Sequence, residues 1–358
     1  MDSVHAIPSS VVGSSAMLEP AKLDGLRKAV SEAVVGRERE QRLVIAALAT
    51  GRDLLLEGPP GTSKTTLLRS ITTAFGVPLV FVEGNDDLTT AKLVGHHDPS
   101  LVLSQGFSEH TFVEGPLVRA MRTGGFLYVE EVNRAPEDTL NALLTAIAER
   151  EITVPRMGVV HALPGFRVVA SMNPFDNVGT SRISTSVYDR LCRITLGYQS
   201  SADEASIVVR RTAVADQRII DDSVALTRLT RMHPLIRQGS SVRGAIDLAL
   251  VAQQLFAMNS TRGSLPSDQP FVSLTHDAVG SVADVGSGDS GGAHDRSANN
   301  GNADEILISY EETMRDALHV ALSGRIRLDE MSGTTPEAVL DDLWNQHFVL
   351  SRHVAAPG

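Results

Sequence analysis

Gly58-Pro-Pro-Gly-Thr-Ser-Lys-Thr65 stands between the apolar run Asp53–Glu57 and a segment whose Leu67, Leu68, Ile71, Ala74 and Phe75 share one helical face. A glycine-bearing turn that leaves a strand and opens a helix is the setting a phosphate-binding loop requires. The N–H groups of such a turn and of the helix N-terminus converge on an anion. Lys64 can neutralise β- and γ-phosphates, and Thr65 can offer its hydroxyl to Mg²⁺. Gly58, Pro59, Pro60, Gly61, Thr62, Ser63, Lys64, Thr65 and Thr66 are therefore the expected nucleotide contacts. Ser63 stands where a second glycine is usual, so its fit depends on the backbone dihedrals there. The competing reading, a Gly-Pro turn with an incidental Lys-Thr, leaves the flanking strand and helix unexplained.

Outward from the loop, short β-prone runs alternate with helix-period segments. The strand candidates are Asp53–Glu57, Leu79–Glu83, Phe126–Glu130, Phe166–Ser171 and Arg193–Gly197. Such alternation predicts an α/β sheet, mainly parallel, with helices packed on it. Leu140, Leu143, Leu144 and Ile147 form another helical face after Pro136. The stretch 85–118 exceeds an ordinary connection and should hold small elements of its own. After residue 200 helical signals take over, at Asp203–Arg211, Ser223–Met232 and Ser241–Met258. Residues 1–20 read as a mobile tail. The segment 261–303 reads as a linker, since 280–303 has six glycines, four serines and no aromatic residue. Ser309–Glu312 has the form of a capping box, and a last helix is expected near Thr335-Pro336. The predicted organisation is an α/β unit at 21–200 and a helical unit at 201–358.

Phe126-Leu-Tyr-Val-Glu-Glu131 is an apolar strand that ends in two carboxylates. Beside a phosphate loop, Glu130 is suited to orient Mg²⁺, and Glu131 to position and polarise a water that attacks the γ-phosphate. Alone, the pair could be a solvated strand end. Aspartate is commoner than glutamate at the first position, so Glu130 bears on metal geometry and turnover.

The chain has 358 residues, 42% of them hydrophobic, which excludes wholesale disorder. With 32 basic and 43 acidic residues its formal charge is -11, a poor match to a phosphate polymer, although a local basic channel remains compatible. One cysteine makes no intrachain disulfide, and Cys192 is expected as a buried small apolar residue. Neither a secretion signal nor a membrane span is visible, so a cytoplasmic protein is expected. His96, His97 and His110 lack a recognisable ligand spacing and read as part of a solvated loop. Phe107 and Phe112 are expected to pack the 85–118 stretch, and Trp344 the last helix.

Val34-Val-Gly-Arg-Glu38, the loop Gly58–Thr65, Glu130-Glu-Val-Asn-Arg-Ala-Pro136 and Ala170-Ser-Met-Asn-Pro174 together resemble an AAA+ ATPase of the MoxR type, related to the magnesium-chelatase ATPase subunit. Asn85–Gly95 followed by Val113–Leu117 is similar to the helix-2 insertion of that clade. The resemblance spans about residues 30–260. It implies a P-loop AAA+ parallel sheet flanked by helices and followed by an all-helical lid domain. It also implies ATP and Mg²⁺ as cofactors and a homo-oligomeric ring, expected as a hexamer. By the same resemblance, Asn173 matches the polar sensor near the attacking water. Arg190, in Tyr188-Asp-Arg-Leu191, matches the arginine finger that serves the neighbouring subunit, and Arg243 matches the second sensor in the lid. Gly36 and Arg37 resemble the segment lining the adenine pocket, and Arg134 could face a neighbour. The implied role is a chaperone-like remodeller, often working with a partner that carries a von Willebrand factor A domain, in maturation or assembly of an unidentified client protein or metal cofactor. Two alternatives stay open: a nucleic-acid-directed AAA+ loader, which the charge disfavours, and a nucleotide-gated scaffold that does not hydrolyse, which Glu130 and Ser63 favour.

Overall fold

The structure, a computed structural model, describes residues 20–174, 185–262, 310–329, 331 and 333–350. Two helices, α1 (Pro20–Ala33) and α2 (Glu38–Ala49), precede β1 (Leu54–Glu57) and α3 (Lys64–Phe75). Next come β2 (Leu79–Glu83), α4 (Thr90–Val94), β3 (Gly95–His97), α5 (Pro99–Gln105), β4 (Phe112–Glu114) and α6 (Pro116–Thr123). They are followed by β5 (Phe126–Glu130), α7 (Glu137–Glu149), the hairpin β6 (Glu151–Val154) and β7 (Gly158–His161), β8 (Arg167–Met172), α8 (Thr185–Arg190) and β9 (Cys192–Thr195). The C-terminal part holds α9 (Ser201–Arg211), α10 (Gln217–Leu229), β10 (Ile236–Gln238), α11 (Val242–Arg262), α12 (Tyr310–Leu322), β11 (Arg327–Leu328) and α13 (Pro336–Trp344).

The five expected strands form one sheet in the order β2-β5-β8-β1-β9, every pairing parallel. All of β1 and most of β5 and β8 are buried, because helices cover both faces. Alternation along β1 divides the core. Leu54 and Leu56 join Leu48, Leu67 and Ile71 beneath α1–α3, while Leu55 joins Leu117 and Leu143 beneath α6 and α7. On α3 the predicted face is the buried one: Leu67, Leu68, Ile71 and Phe75, each contributing about 1.5–3 kcal/mol by leaving water. The helix stops at Gly76, whose left-handed backbone lets its N–H and that of Val77 donate to Thr73 O and Thr72 O.

Cys192 is exposed, contrary to expectation. It opens β9, which among the described residues is an edge strand paired with β1 alone, and three of the four β9 residues lack cover. The 85–118 stretch does contain its own elements: α4, α5 and the antiparallel pair β3–β4. His97 is tied into it, with Nδ1 3.2 Å from Thr111 Oγ1 and its ring edge-on to Phe107 and Phe112. Phe112 is buried, whereas Phe107 is exposed with the Arg156 guanidinium over its ring. Among the described residues no cluster of His, Cys, Asp or Glu could hold a metal by itself.

The C-terminal part is helical around its own core, built from residues such as Val208, Leu226, Leu248, Leu318 and Leu340. α10 starts earlier than its apolar period suggests, since Asp216 caps it by accepting from Arg218 N–H at 2.8 Å. Thr335 caps α13, which begins on Pro336, and Trp344 packs on the core with Nε1–H donating to Glu311 O. The hairpin β6–β7 was not expected, and neither was the antiparallel pairing of β10 with β11, Ile236 opposite Leu328 and Gln238 opposite Arg327. The N-terminal tail up to residue 19, nearly all of the 261–303 linker and Ser309 of the capping box lie outside the described residues.

Candidate functional site

The strand order sets β1 between β8 and β9, with β5 beyond β8, so the carboxyl ends of β1, β8 and β5 open into a common crevice. That crevice is a cleft of about 840 Å³. It is lined by residues 60–66, Glu130, Glu131, Arg134 and residues 171–174, and from the helical part by Arg237, Gln238, Arg243, Arg327 and Leu328.

The loop is a tight turn that binds itself. Thr62 Oγ1 donates to Pro59 O at 2.9 Å, and the Lys64 ammonium donates to Gly58 O at 2.6 Å and Pro59 O at 3.0 Å. Burial draws the Lys64 pKa down to about 8 against the pull of Glu130 and Glu131, with Arg37 and Arg243 adding to the depression. Ser63 lies in the left-handed region, at φ 64° and ψ 20°, where glycine would be unstrained. Gly61 has φ 72°, and a Cβ there would overlap Ser241 of the helical part. Glycine at 61 thus lets the start of α11 close down on the loop.

On β5, residues 128 and 130 face the same way, as strand alternation requires. The Thr65 hydroxyl donates to Glu130 Oε1 at 2.9 Å, and the Tyr128 hydroxyl lies 3.4 Å from the same oxygen and 3.0 Å from Ser171 Oγ. Burial pushes the Tyr128 phenol up to about 12, so it serves as a neutral hydrogen-bonding group. Thr65 and Glu130 thus present adjacent hard oxygens, the donor set Mg²⁺ takes when phosphate oxygens complete its shell. Glu131 takes a left-handed turn, φ 51°, and its Oε2 meets Arg134 Nε at 2.9 Å. Both side chains are about two-fifths exposed, so the pair is worth at most about 1 kcal/mol and can be exchanged. Arg134, a candidate neighbour contact from sequence, therefore bonds within its own chain. Gly84 fixes the turn from the other side: its N–H donates to Glu130 O at 2.7 Å, with no room for a Cβ against Glu131 O.

Asn173 follows β8 into the cleft, and Gly58 N–H donates to Met172 O, tying the loop to that strand end. Arg243, second residue of α11, reaches the cleft from the helical part. Arg190 does not line the cleft. It ends α8, exposed, with Nη1 donating to Ser186 O. Gly36 and Arg37 do not line it either. Both have left-handed backbones, and Arg37 is buried with Nη2 donating to Gly197 O at 2.7 Å. Gln41 Nε2 donates to Gly36 O, which holds the segment near enough for Arg37 to be felt at Lys64.

Sequence reasoning missed Tyr128, Ser241, Arg237 and Arg327. Tyr128 had a signal, since it lies two residues from Glu130 on the same strand face. Arg237 and Arg327 had none, because only tertiary pairing sets the ribbon against the loop.

Residues 53–191 match the AAA domain of the dynein-related subfamily. The uncharacterized protein YojN of Bacillus subtilis is 32% identical over 209 residues, which cover 57% of this chain and 68% of that protein. The chain belongs to the AAA family. An uncharacterized protein of Staphylococcus epidermidis is 28% identical over 214 residues, 58% of this chain and 80% of that one. A crystal structure of an ATPase candidate from Cytophaga hutchinsonii covers 90% of this chain and 93% of its own, with 20% identity and a TM-score of 0.45. In this AAA protein the matched residues contain the loop, Glu130, Glu131, Asn173 and Arg190, while Gly36, Arg37, Arg237, Arg243 and Arg327 lie outside them. No described helix is long and apolar enough to cross a membrane.

Proposed function

We propose that this chain is a MoxR-type AAA+ ATPase, with a nucleotide domain at 21–200 and a helical lid at 201–358, that hydrolyses ATP with Mg²⁺ as part of a ring, expected as a hexamer. One observation carries the reading: a single cleft unites Lys64, Thr65, Glu130, Glu131, Asn173 and Arg243, from four separate parts of the fold. Loop N–H groups and Lys64 bind the phosphates. Thr65 and Glu130 would hold Mg²⁺, which would supply neutralisation of charge on the phosphate oxygens. Glu131 accepts the proton of a water whose oxygen bonds to the γ-phosphorus as the bond to the β-phosphate oxygen breaks, giving ADP and phosphate. The weak Arg134 pair leaves Glu131 able to take up that water, and Asn173, in the same cleft, can hold it through its amide. Arg190, outside its own cleft, suits stabilisation of charge in a neighbour's site. The work performed is remodelling of a client during maturation or assembly, with a von Willebrand factor A partner.

The test is the steady-state ATPase rate against protein concentration with Mg²⁺, for wild type and Glu131→Gln, alongside particle mass. A rate per subunit that climbs as mass grows to a ring, and is abolished by the substitution, is expected. A wild type that binds ATP without turning it over at any concentration would overturn hydrolysis by this chain alone, leaving activation by a partner or the scaffold reading that the residues Glu130 and Ser63 favour.

A further inference from the structure

The cleft is lined by five cationic side chains, Lys64, Arg134, Arg237, Arg243 and Arg327, against two carboxylates, Glu130 and Glu131. This excess stands out in a chain of 32 basic and 43 acidic residues, where many arginines are matched to acids: Arg193 to Glu57, Arg228 and Arg231 to Glu204, Arg315 to Asp341, Arg325 to Asp247. Among the described residues, Arg237, Arg243 and Arg327 form no ion pair. Of the two cleft acids, Glu131 is already bonded to Arg134, and Glu130 accepts from Thr65. Three guanidinium groups on one side of a cleft repel one another unless an anion lies between them.

The ribbon fixes two of these groups. Ile236 is buried in the helical core and Arg237, next along β10, is exposed; the register shifts between Ile236 and Gln238, so the strict alternation of side chains is broken there, and Arg237 and Gln238 both line the cleft with Arg327 of β11, the residue opposite Gln238. The contact of Ser241 with the loop at Gly61 brings this lid face over the helix N-terminus that carries Lys64. In a phosphate loop the N–H groups enclose the inner phosphates, and the outermost phosphate is the one left open toward the lid.

We propose that Arg237 and Arg327, on the β10–β11 ribbon, grip the terminal phosphate of a nucleoside triphosphate and so make the lid discriminate tri- from diphosphate. This rests on the cleft being the ATP site. The two side chains act with Arg243 but come from a separate element, so lid position and phosphate count are coupled through the ribbon.

Equilibrium dialysis of radiolabelled ATP and ADP with Mg²⁺ tests the proposal in the full-length chain, comparing wild type, Arg237→Ala/Arg327→Ala, Arg237→Lys/Arg327→Lys and Lys64→Ala. Thermal melting confirms that each is folded, and particle mass is followed in parallel. The alanine pair should lose about tenfold or more in ATP affinity and less than about threefold in ADP affinity. The lysine pair should recover part of the loss, keeping charge without the planar fork. Equal ATP affinity in wild type and the alanine pair, or an equal fall for both nucleotides, overturns the proposal. An alanine pair that changes particle mass but not affinity assigns the arginines to subunit contacts instead. No ATP binding by wild type, or none lost in Lys64→Ala, would overturn the site itself, a result distinct from failure of the ribbon alone.

Discussion

Replacing Ser63 with glycine should stabilise the protein, and the size of the effect follows from one dihedral. Ser63 sits at φ 64° and ψ 20°, with no capping hydrogen bond from its side chain. An L-residue pays about 1–2 kcal/mol there because Cβ crowds the following carbonyl. Glycine removes that strain but returns about 0.4–1 kcal/mol as extra freedom of the unfolded chain. The net gain is about 1 kcal/mol, a rise in Tm of about 2–4 °C for the transition of a cooperative unit of about 180 residues, the size of the unit that holds the loop. Ser63→Ala is the control: it keeps the Cβ and the strain, so it should melt within about 1 °C of wild type. Differential scanning calorimetry at fixed protein concentration, with and without a fixed excess of ATP, separates the backbone effect from ligand stabilisation. A Ser63→Gly protein that melts no higher than Ser63→Ala would refute the argument, since strain at this residue would then not be a feature of the folded state.

Two further outcomes are expected. Lys64 titrates near 8 rather than its ordinary 10.5, chiefly through burial, so the folded chain binds fewer protons than the unfolded one between those values, and stability gains from this group as pH rises through that window. A triphosphate beside the ammonium restores the charged form; ATP binding at about pH 8.5 should therefore take up a proton, read as a difference in calorimetric heat between two buffers of unlike ionisation enthalpy, and absence of uptake would remove Lys64 from the phosphate contacts. Gly61→Ala should lower ATP affinity by about tenfold or more, because the new Cβ collides with Ser241 at a left-handed residue, and adding Ser241→Gly should return part of it; a purely additive double mutant would show that the loop and lid do not touch there.

The sheet was legible because buried parallel strands announce themselves. Leu54–Leu56 and Phe126–Val129 are continuous apolar runs, and turn residues separate them from segments of helical period. The loop and the paired acids were legible for a related reason, since each is a contiguous motif whose chemistry depends on neighbours in the chain. Cys192 misled because nothing in its local sequence says that β9 is an edge strand.

By itself, then, the sequence determined the parallel α/β unit, the phosphate loop, the carboxylates at 130 and 131 and the start of the last helix at Thr335-Pro336, because these rest on interactions within a few residues or on periodicity along one element. Only the tertiary structure decided that Ser241 closes on Gly61, that Arg134 bonds Glu131, and that Arg237 and Arg327 reach the cleft from a two-stranded ribbon. Apart from the Glu131–Arg134 pair, three residues apart, those contacts join residues far apart in the chain, and their positions follow from how the helical part meets the loop at Ser241. Packing of that kind depends on the summed shape of many side chains, which no short stretch of sequence carries.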